Sequence, residues 1–205
     1  MNGMKPVLIC LDMEGVLVPE IWPELAARLA LPALTVTSLD APDLTALNLR
    51  RIEILREAGI TLEEVKAAVA RIEPFDGARE FLDALRDLAQ VVIISDAAMP
   101  FTEIALRKLG SPHVFCNFFE LSSDGELVGF HRRIREKSDD VRALQAMGYE
   151  TIACGDSAAD VSMILASRAG FLFRSRPNVR EAHPEILHVT EYAELLEKIR
   201  AEVTR

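Results

Sequence analysis

Three short apolar runs, each leading straight into an acid or a hydroxyl, constrain the fold of this chain more than any other feature. Residues 7–11 (VLICL) end at Asp12, residues 91–94 (VVII) end at Ser95-Asp96, and residues 151–154 (TIAC) end at Gly155-Asp156. Apolar runs of this length, bounded by turn residues and rich in β-branched side chains, suit strands covered on both faces, as in a parallel sheet flanked by helices. Ligands bind to such sheets outside the carboxyl ends of the strands. The polar residues at the ends of the three runs therefore belong to one edge, and that edge is the candidate site.

The rest of the pattern agrees with an α/β chain. Residues 77–88, 100–109, 138–147, 158–168 and 191–203 carry apolar residues at three- and four-residue spacing, which predicts helices with one face packed on a sheet. Asp124-Gly125, between residues 118–121 and 127–130, predicts a β-hairpin. The expected fold is a Rossmann-like parallel sheet flanked by helices. The interval between Asp12 and Val91 is too long for a single crossover helix, so something is inserted there. Within it residues 22–31, 44–58 and 62–71 read as helices, punctuated by Pro32, Pro42, Gly59 and Pro74. This predicts a small helical cap over residues 19–73, inserted into a body formed by residues 1–18 and 74–205.

Composition narrows the partners. A chain of 205 residues, 50% of them apolar, can bury one sizeable core and still carry a small insertion. A net charge of -9 opposes binding to nucleic acid or anionic membranes, so a small-molecule partner is expected. No apolar run approaches the roughly 20 residues of a membrane span, and residues 1–10 lack the pattern of a signal peptide. A cytoplasmic protein is expected. Cys10, Cys116 and Cys154 share no paired spacing and are expected to be reduced thiols. His113, His131, His183 and His188 are scattered, which argues against a zinc site.

The chemistry-bearing residues fall into four pieces. In the first, Asp12 and Glu14 stand two residues apart at a strand end, with Gly15 allowing a sharp turn. One carboxylate can attack phosphorus while its neighbour protonates the leaving oxygen and later activates water. Alone, the pair reads equally well as a helix cap with a solvated neighbour. In the second, Asp156 and Asp160 lie four residues apart and can face one cation, with Asp12 as a third carboxylate. Magnesium prefers such hard oxygen ligands. Each acid taken singly reads more readily as a helix cap. In the third, Ser95-Asp96 offers a hydroxyl and following backbone N–H groups to phosphate oxygens near a helix start. The fourth is Lys137, placed to neutralise the attacking carboxylate, although it closes a basic run with His131, Arg132, Arg133 and Arg135 that also reads as a solvated face.

The order of these four pieces resembles the haloacid dehalogenase superfamily, and within it the phosphoserine phosphatase branch. The segments Asp12-Met13-Glu14-Gly15-Val16, Ser95-Asp96, Lys137 and Gly155-Asp156-Ser157-Ala158-Ala159-Asp160 stand in that family's sequence. The resemblance implies a catalytic nucleophile at Asp12, a general acid/base at Glu14, and phosphate ligands at Ser95 and Lys137, with Asp96 beside them. It implies a magnesium ion held among Asp12, Glu14, Asp156 and Asp160, with the Met13 backbone carbonyl as a further ligand. It also implies that the inserted helices close over a small substrate, with Glu20 binding an ammonium group and Arg51 a carboxylate. Plain surface charge on cap helices is the alternative for that pair.

Two departures stand out: Glu14 replaces the usual second aspartate, and Ala159 replaces the usual asparagine. The segment Asp12-Met13-Glu14-Gly15-Val16-Leu17-Val18-Pro19-Glu20 is similar to the bacterial bifunctional phosphoserine phosphatase/homoserine phosphotransferases. The expected activity is hydrolysis of a small phosphorylated amino acid, phosphoserine first, with transfer to homoserine as a second activity. Phosphatases for a sugar phosphate or nucleotide, and a catalytically silent binder of a phosphometabolite, are the competing readings.

Overall fold

Alternation of apolar side chains along the strands gives the sheet two buried faces. The computed structural model describes residues 5–36, 43–133 and 136–205; Pro42, Arg135 and the start of residues 1–10 lie outside them. The strands are β1 (Val7–Leu11), β2 (Gln90–Met99), β3 (Val114–Leu121), β4 (Leu127–His131), β5 (Glu150–Gly155), β6 (Ala169–Phe173) and β7 (Leu187–Val189). They lie in the order β4-β3-β2-β1-β5-β6-β7, all parallel except β4, which pairs antiparallel with β3. This is the α/β sheet expected, and β3 and β4 are the hairpin expected around Asp124-Gly125.

Ile9, Leu11, Ile93, Ile152, Phe171 and Phe173 point to one side, and Leu8, Cys10, Val92, Ile94, Ala153 and Leu172 to the other. The second side is covered by α6 (Lys137–Ala146), α7 (Val161–Ala166) and α8 (Pro177–Ala182) through Val141, Leu144, Met163 and Val179. The first is covered by α4 (Ala78–Arg86) and α9 (Tyr192–Val203). The helices between β1 and β2, namely α1 (Ile21–Arg28), α2 (Leu44–Glu57) and α3 (Leu62–Val69), add Leu25, Leu55 and Val65 to this same apolar cluster. Their burial against the body stabilises them, since helices of this length are marginal alone. Thr61 and Glu64 close a reciprocal capping box at the start of α3.

Several boundaries differ from the sequence expectation for local reasons. β2 continues past Ile94 to Met99, and α5 (Phe101–Leu106) begins only after it. Residues 158–168 open as a 3-10 turn over Ala158–Asp160 before α7 begins. α1 stops at Arg28, and Ala30 takes a left-handed conformation at φ 53°. β6, β7 and α8 are not legible in the sequence pattern: β6 opens with Ala-Gly, and β7 is only three residues long. Cys10 and Cys154 are buried and unpaired, as expected, and Cys116 is half-buried and unpaired. Among the described residues no helix is long and apolar enough to cross a membrane.

Phe173 is fully buried and stacks on Tyr192 of α9 with ring centroids 4.8 Å apart. Phe173→Ala is expected to lower stability by about 3–5 kcal/mol in urea unfolding. A loss below about 1 kcal/mol would mean that β6 is not a core strand.

Candidate active site

Asp12 leaves β1 with its backbone still in the sheet, donating to the Cys154 carbonyl at 2.9 Å. Its side chain is buried, and Oδ1 accepts from the Met13 N–H at 2.7 Å. The chain then turns at Gly15, whose φ of 75° and lack of a side chain are both required, because a Cβ there would overlap the Asp156 carboxyl group. Lys137, the first residue of α6, is only 3% exposed and places Nζ 2.8 Å from Asp12 Oδ1 and 2.6 Å from Asp160 Oδ1. It differs from the basic run before it, where the partly exposed Arg133 pairs with a different buried acid of α6, Asp140.

Asp160 is fully buried and organises the loop after β5. Its Oδ2 accepts from the Asp156 N–H at 3.1 Å, the Ser157 N–H at 3.0 Å and the Ser157 hydroxyl at 2.8 Å. A Cβ on Gly155 would collide with this side chain. The concentration of charge shows in the acidities. Burial, then the neighbouring Asp160 charge, push the Asp12 carboxyl well above its ordinary range against the pull of Lys137. The same two causes raise Asp156 to about 7. Burial alone would pull Lys137 down, yet Asp12 and Asp160 hold it well above its ordinary value.

Carboxylate oxygens of Asp12, Asp156 and Asp160 lie within 4.8 Å of one another. Three acids against one lysine leave an excess of negative charge that a divalent cation would balance, and the donor set is the hard-oxygen type that magnesium takes. The residues therefore fit the ion. Their roles differ, because both Asp160 oxygens are already bonded within the protein, whereas Asp12 and Asp156 line the open cleft. The Met13 carbonyl accepts the N–H groups of Leu17 at 2.8 Å and Val18 at 3.1 Å, which commits it to the turn and away from a metal. Glu14 is not in the cluster: its Oε1 accepts the N–H of Ile21, the first residue of α1, at 2.6 Å. Burial raises Glu14 to about 7.

The cleft has two connected parts. An outer part of about 300 Å³ is lined by Asp12, Lys137, Asp156, Ser157 and Arg176. An inner part of about 70 Å³ is lined by Arg51, Trp22, Phe101 and Phe119. Glu14, Glu20 and Asp96 border both. Arg51 is buried, with its guanidinium 4.5 Å from the Trp22 ring centre, Nη1 3.3 Å from Asn48 Oδ1 and Nη2 2.6 Å from the Val36 carbonyl. Its Nε is buried with no partner among the described residues. Burial lowers Arg51 to about 10, a fall that the nearby Glu14 and Glu20 limit.

Ser95 is buried, and its Oγ accepts from the Ala97 N–H at 3.1 Å. Because β2 continues beyond it, Ser95 is not at a helix start as expected, and the Asp96 carbonyl is held instead by Asn117 Nδ2 at 2.8 Å. Arg132, named in the sequence only as part of a basic run, lines the outer rim, and Arg176 and Asn178 there are additions that the sequence pattern does not single out. The last two come after β6, and reading residues 169–173 as a fourth apolar run ending in polar residues would have found them.

Lys137→Met is expected to cost about 3–5 kcal/mol in denaturant unfolding, because it leaves two buried carboxylates without their cation. A variant as stable as the parent would show that Lys137 does not hold the site together.

Known proteins share both the sequence and the fold. The haloacid dehalogenase-like hydrolase family matches residues 11–165. The phosphoserine phosphatase ThrH of Pseudomonas aeruginosa is 38% identical over 189 residues, covering 92% of both chains. A phosphoserine phosphatase of Pseudomonas syringae pv. tomato is 36% identical over 189 residues, covering 92% of this chain and 80% of that one. In fold, the phosphoserine phosphatase from T. onnurineus superposes with a TM-score of 0.70 at 24% identity, covering 98% of each chain. A match that takes in the strand ends carrying Asp12, Ser95 and Asp156, together with Lys137 and Asp160, makes this chain a member of the haloacid dehalogenase-like hydrolase family.

Proposed function

We propose that this chain is a magnesium-dependent phosphatase for a small phosphorylated amino acid, phosphoserine first, acting through an aspartyl-phosphate on Asp12. The observation that carries the reading is the junction at Glu14. On one side of it Asp12 is held by Lys137 beside Asp156, and on the other lies a small compartment containing both Glu20 and Arg51. The two relatives named phosphoserine phosphatase support the same substrate.

An oxygen of Asp12 attacks phosphorus, and the bond from phosphorus to the seryl oxygen breaks. Glu14 gives its proton to that oxygen, and serine leaves. Glu14 then takes a proton from water, the resulting hydroxide attacks phosphorus, and the bond to Asp12 breaks to release phosphate. Lys137 and Ser95 bind phosphoryl oxygens, which spreads the charge that develops during transfer. Asp12 and Asp156 would hold magnesium, whose charge screens the phosphoryl oxygens from the attacking carboxylate. Glu20 binds the substrate ammonium, and Arg51 its carboxylate through the unpartnered Nε. Residues 19–73 serve as a cap that shields this step from bulk water, in a protein that works in the cytoplasm.

EDTA is expected to abolish phosphoserine hydrolysis, and added magnesium to restore it. Arg51→Ala should raise KM for phosphoserine by about 10- to 100-fold while changing that for p-nitrophenyl phosphate by no more than about twofold. Equal losses on both substrates would remove Arg51 from substrate recognition. In the same assay with added homoserine, formation of phosphohomoserine identifies transfer, and inorganic phosphate as the only phosphorylated product identifies plain hydrolysis.

A further inference from the structure

Val16 lies two residues beyond Glu14, and its carbonyl accepts the hydroxyl of Tyr192, the first residue of α9, at 2.5 Å. The bond joins the turn after β1 to the last helix of the chain, and it lands on the segment that carries the reactive carboxylates. The turn's own bonds run from the Gly15 N–H to the Val18 carbonyl at 2.8 Å and from the Leu17 and Val18 N–H groups to the Met13 carbonyl. They fix its shape but not its place beside Asp12. Its place is set from outside, by the Phe75 N–H on the Leu17 carbonyl at 3.0 Å and by the Tyr192 hydroxyl on Val16. Little displacement is tolerated, because the turn at Gly15 runs directly against the Asp156 carboxyl group.

Tyr192 is itself firmly held. Its ring stacks on Phe81 of α4 and Phe173 of β6, with centroids 4.7 and 4.8 Å away, and the Arg174 guanidinium lies 4.8 Å from its centre. Arg174 keeps that position through a bond from Nε to the Thr190 carbonyl at 2.9 Å, despite a left-handed backbone at φ 52° that side chains of this kind rarely adopt. Burial pushes the Tyr192 hydroxyl up to about 12, so it remains a hydrogen-bond donor at neutral pH. The ring contacts would serve phenylalanine equally well, which leaves the bond to Val16 as the purpose of the hydroxyl. A side chain locked by packing and aimed at one atom beside a reactive group is what a positioned site requires.

We infer that Tyr192 is a positioning residue for the phosphoryl transfer: through the Val16 carbonyl it holds the turn so that Glu14 is aimed at the leaving-group oxygen. Glu14 is tied on the cap side by the Ile21 N–H and on the body side through Val16, which leaves its carboxyl group one position between the two. This rests on the proposed reading of Asp12 as nucleophile and Glu14 as proton donor.

The experiment compares the full chain with its Tyr192→Phe variant, in magnesium, on two esters that differ in their need for a proton. The seryl oxygen must be protonated as it leaves, whereas p-nitrophenolate leaves without one. kcat/KM is read, because it covers the steps up to the aspartyl-phosphate and excludes its later hydrolysis. The variant is expected to lose about 10- to 100-fold on phosphoserine and no more than about threefold on p-nitrophenyl phosphate. Equal losses on the two esters would make Tyr192 a structural residue and overturn the inference, as would an unchanged value for phosphoserine. The ratio of the two values cancels the fraction of folded protein, so a destabilised variant still decides the matter. A parent that does not hydrolyse phosphoserine would reject that substrate, and phenyl phosphate then takes its place: a larger loss on it than on p-nitrophenyl phosphate supports the role of Tyr192, and an equal loss overturns it.

Discussion

The ammonium of Lys137, buried between Asp12 and Asp160, is the interaction on which the catalytic edge depends. Removing ions from water costs several kcal/mol each, so such a cluster persists only when its members are paired and hydrogen-bonded. Here the lysine is bonded to both acids, and Asp160 takes three further hydrogen bonds from the Asp156–Ser157 backbone and the Ser157 hydroxyl. Asp160 thus fixes the loop, Lys137 fixes Asp12 relative to that loop, and Asp156 is left facing the cleft. The arrangement still has more negative than positive charge. That surplus is why burial and like charge raise Asp12 and Asp156 together, and why a hard divalent cation suits the place.

Topology makes this packing achievable. β1 lies between β2 and β5, so Asp12, Ser95 and Gly155-Asp156 emerge side by side although they are far apart in sequence. Two glycines make room where the strand ends crowd together, Gly15 against the Asp156 carboxyl and Gly155 against Asp160. The helices between β1 and β2 continue the apolar core of one sheet face and bring Glu20 and Arg51 over the edge. Glu14 ties these layers together, since its carboxyl group is bonded to the first N–H of α1. With one methylene more than aspartate, its side chain has the reach for that bond.

Much of this edge is legible in the sequence, because apolar runs ending in acids specify both strand and site. The three strands and the placing of Asp12, Ser95 and Asp156 at one edge derive from that pattern, while the hairpin follows from Asp124-Gly125, the main helices from apolar spacing, and the grouping of Lys137 and Asp160 with that edge from the order of the four pieces. The illegible part is hydrogen bonding beyond the strand ends, some of it within a few residues and some between distant segments. The strand pattern does not show that Asp160 spends one oxygen on the neighbouring Asp156-Ser157 loop and the other on the distant Lys137, that the Met13 carbonyl closes a turn, or that Ser95 lies within a longer strand. Arg176 and Asn178 are hidden because β6 opens with Ala-Gly, too weak a strand signal to draw attention to the polar residues beyond its end. The aromatic wall of the inner compartment joins α1, α5 and β3, and no spacing within one segment announces it.

The central claim is that Asp12 becomes covalently phosphorylated, and the most direct measurement is to trap that species. Protein mixed with phosphoserine and magnesium, quenched in acid during turnover and digested, is predicted to yield a peptide containing Asp12 that carries one added phosphoryl group and loses it on mild alkaline treatment. Turnover at full rate with no phosphorylated Asp12 peptide at any quench time, or with the group on another residue, would contradict the account.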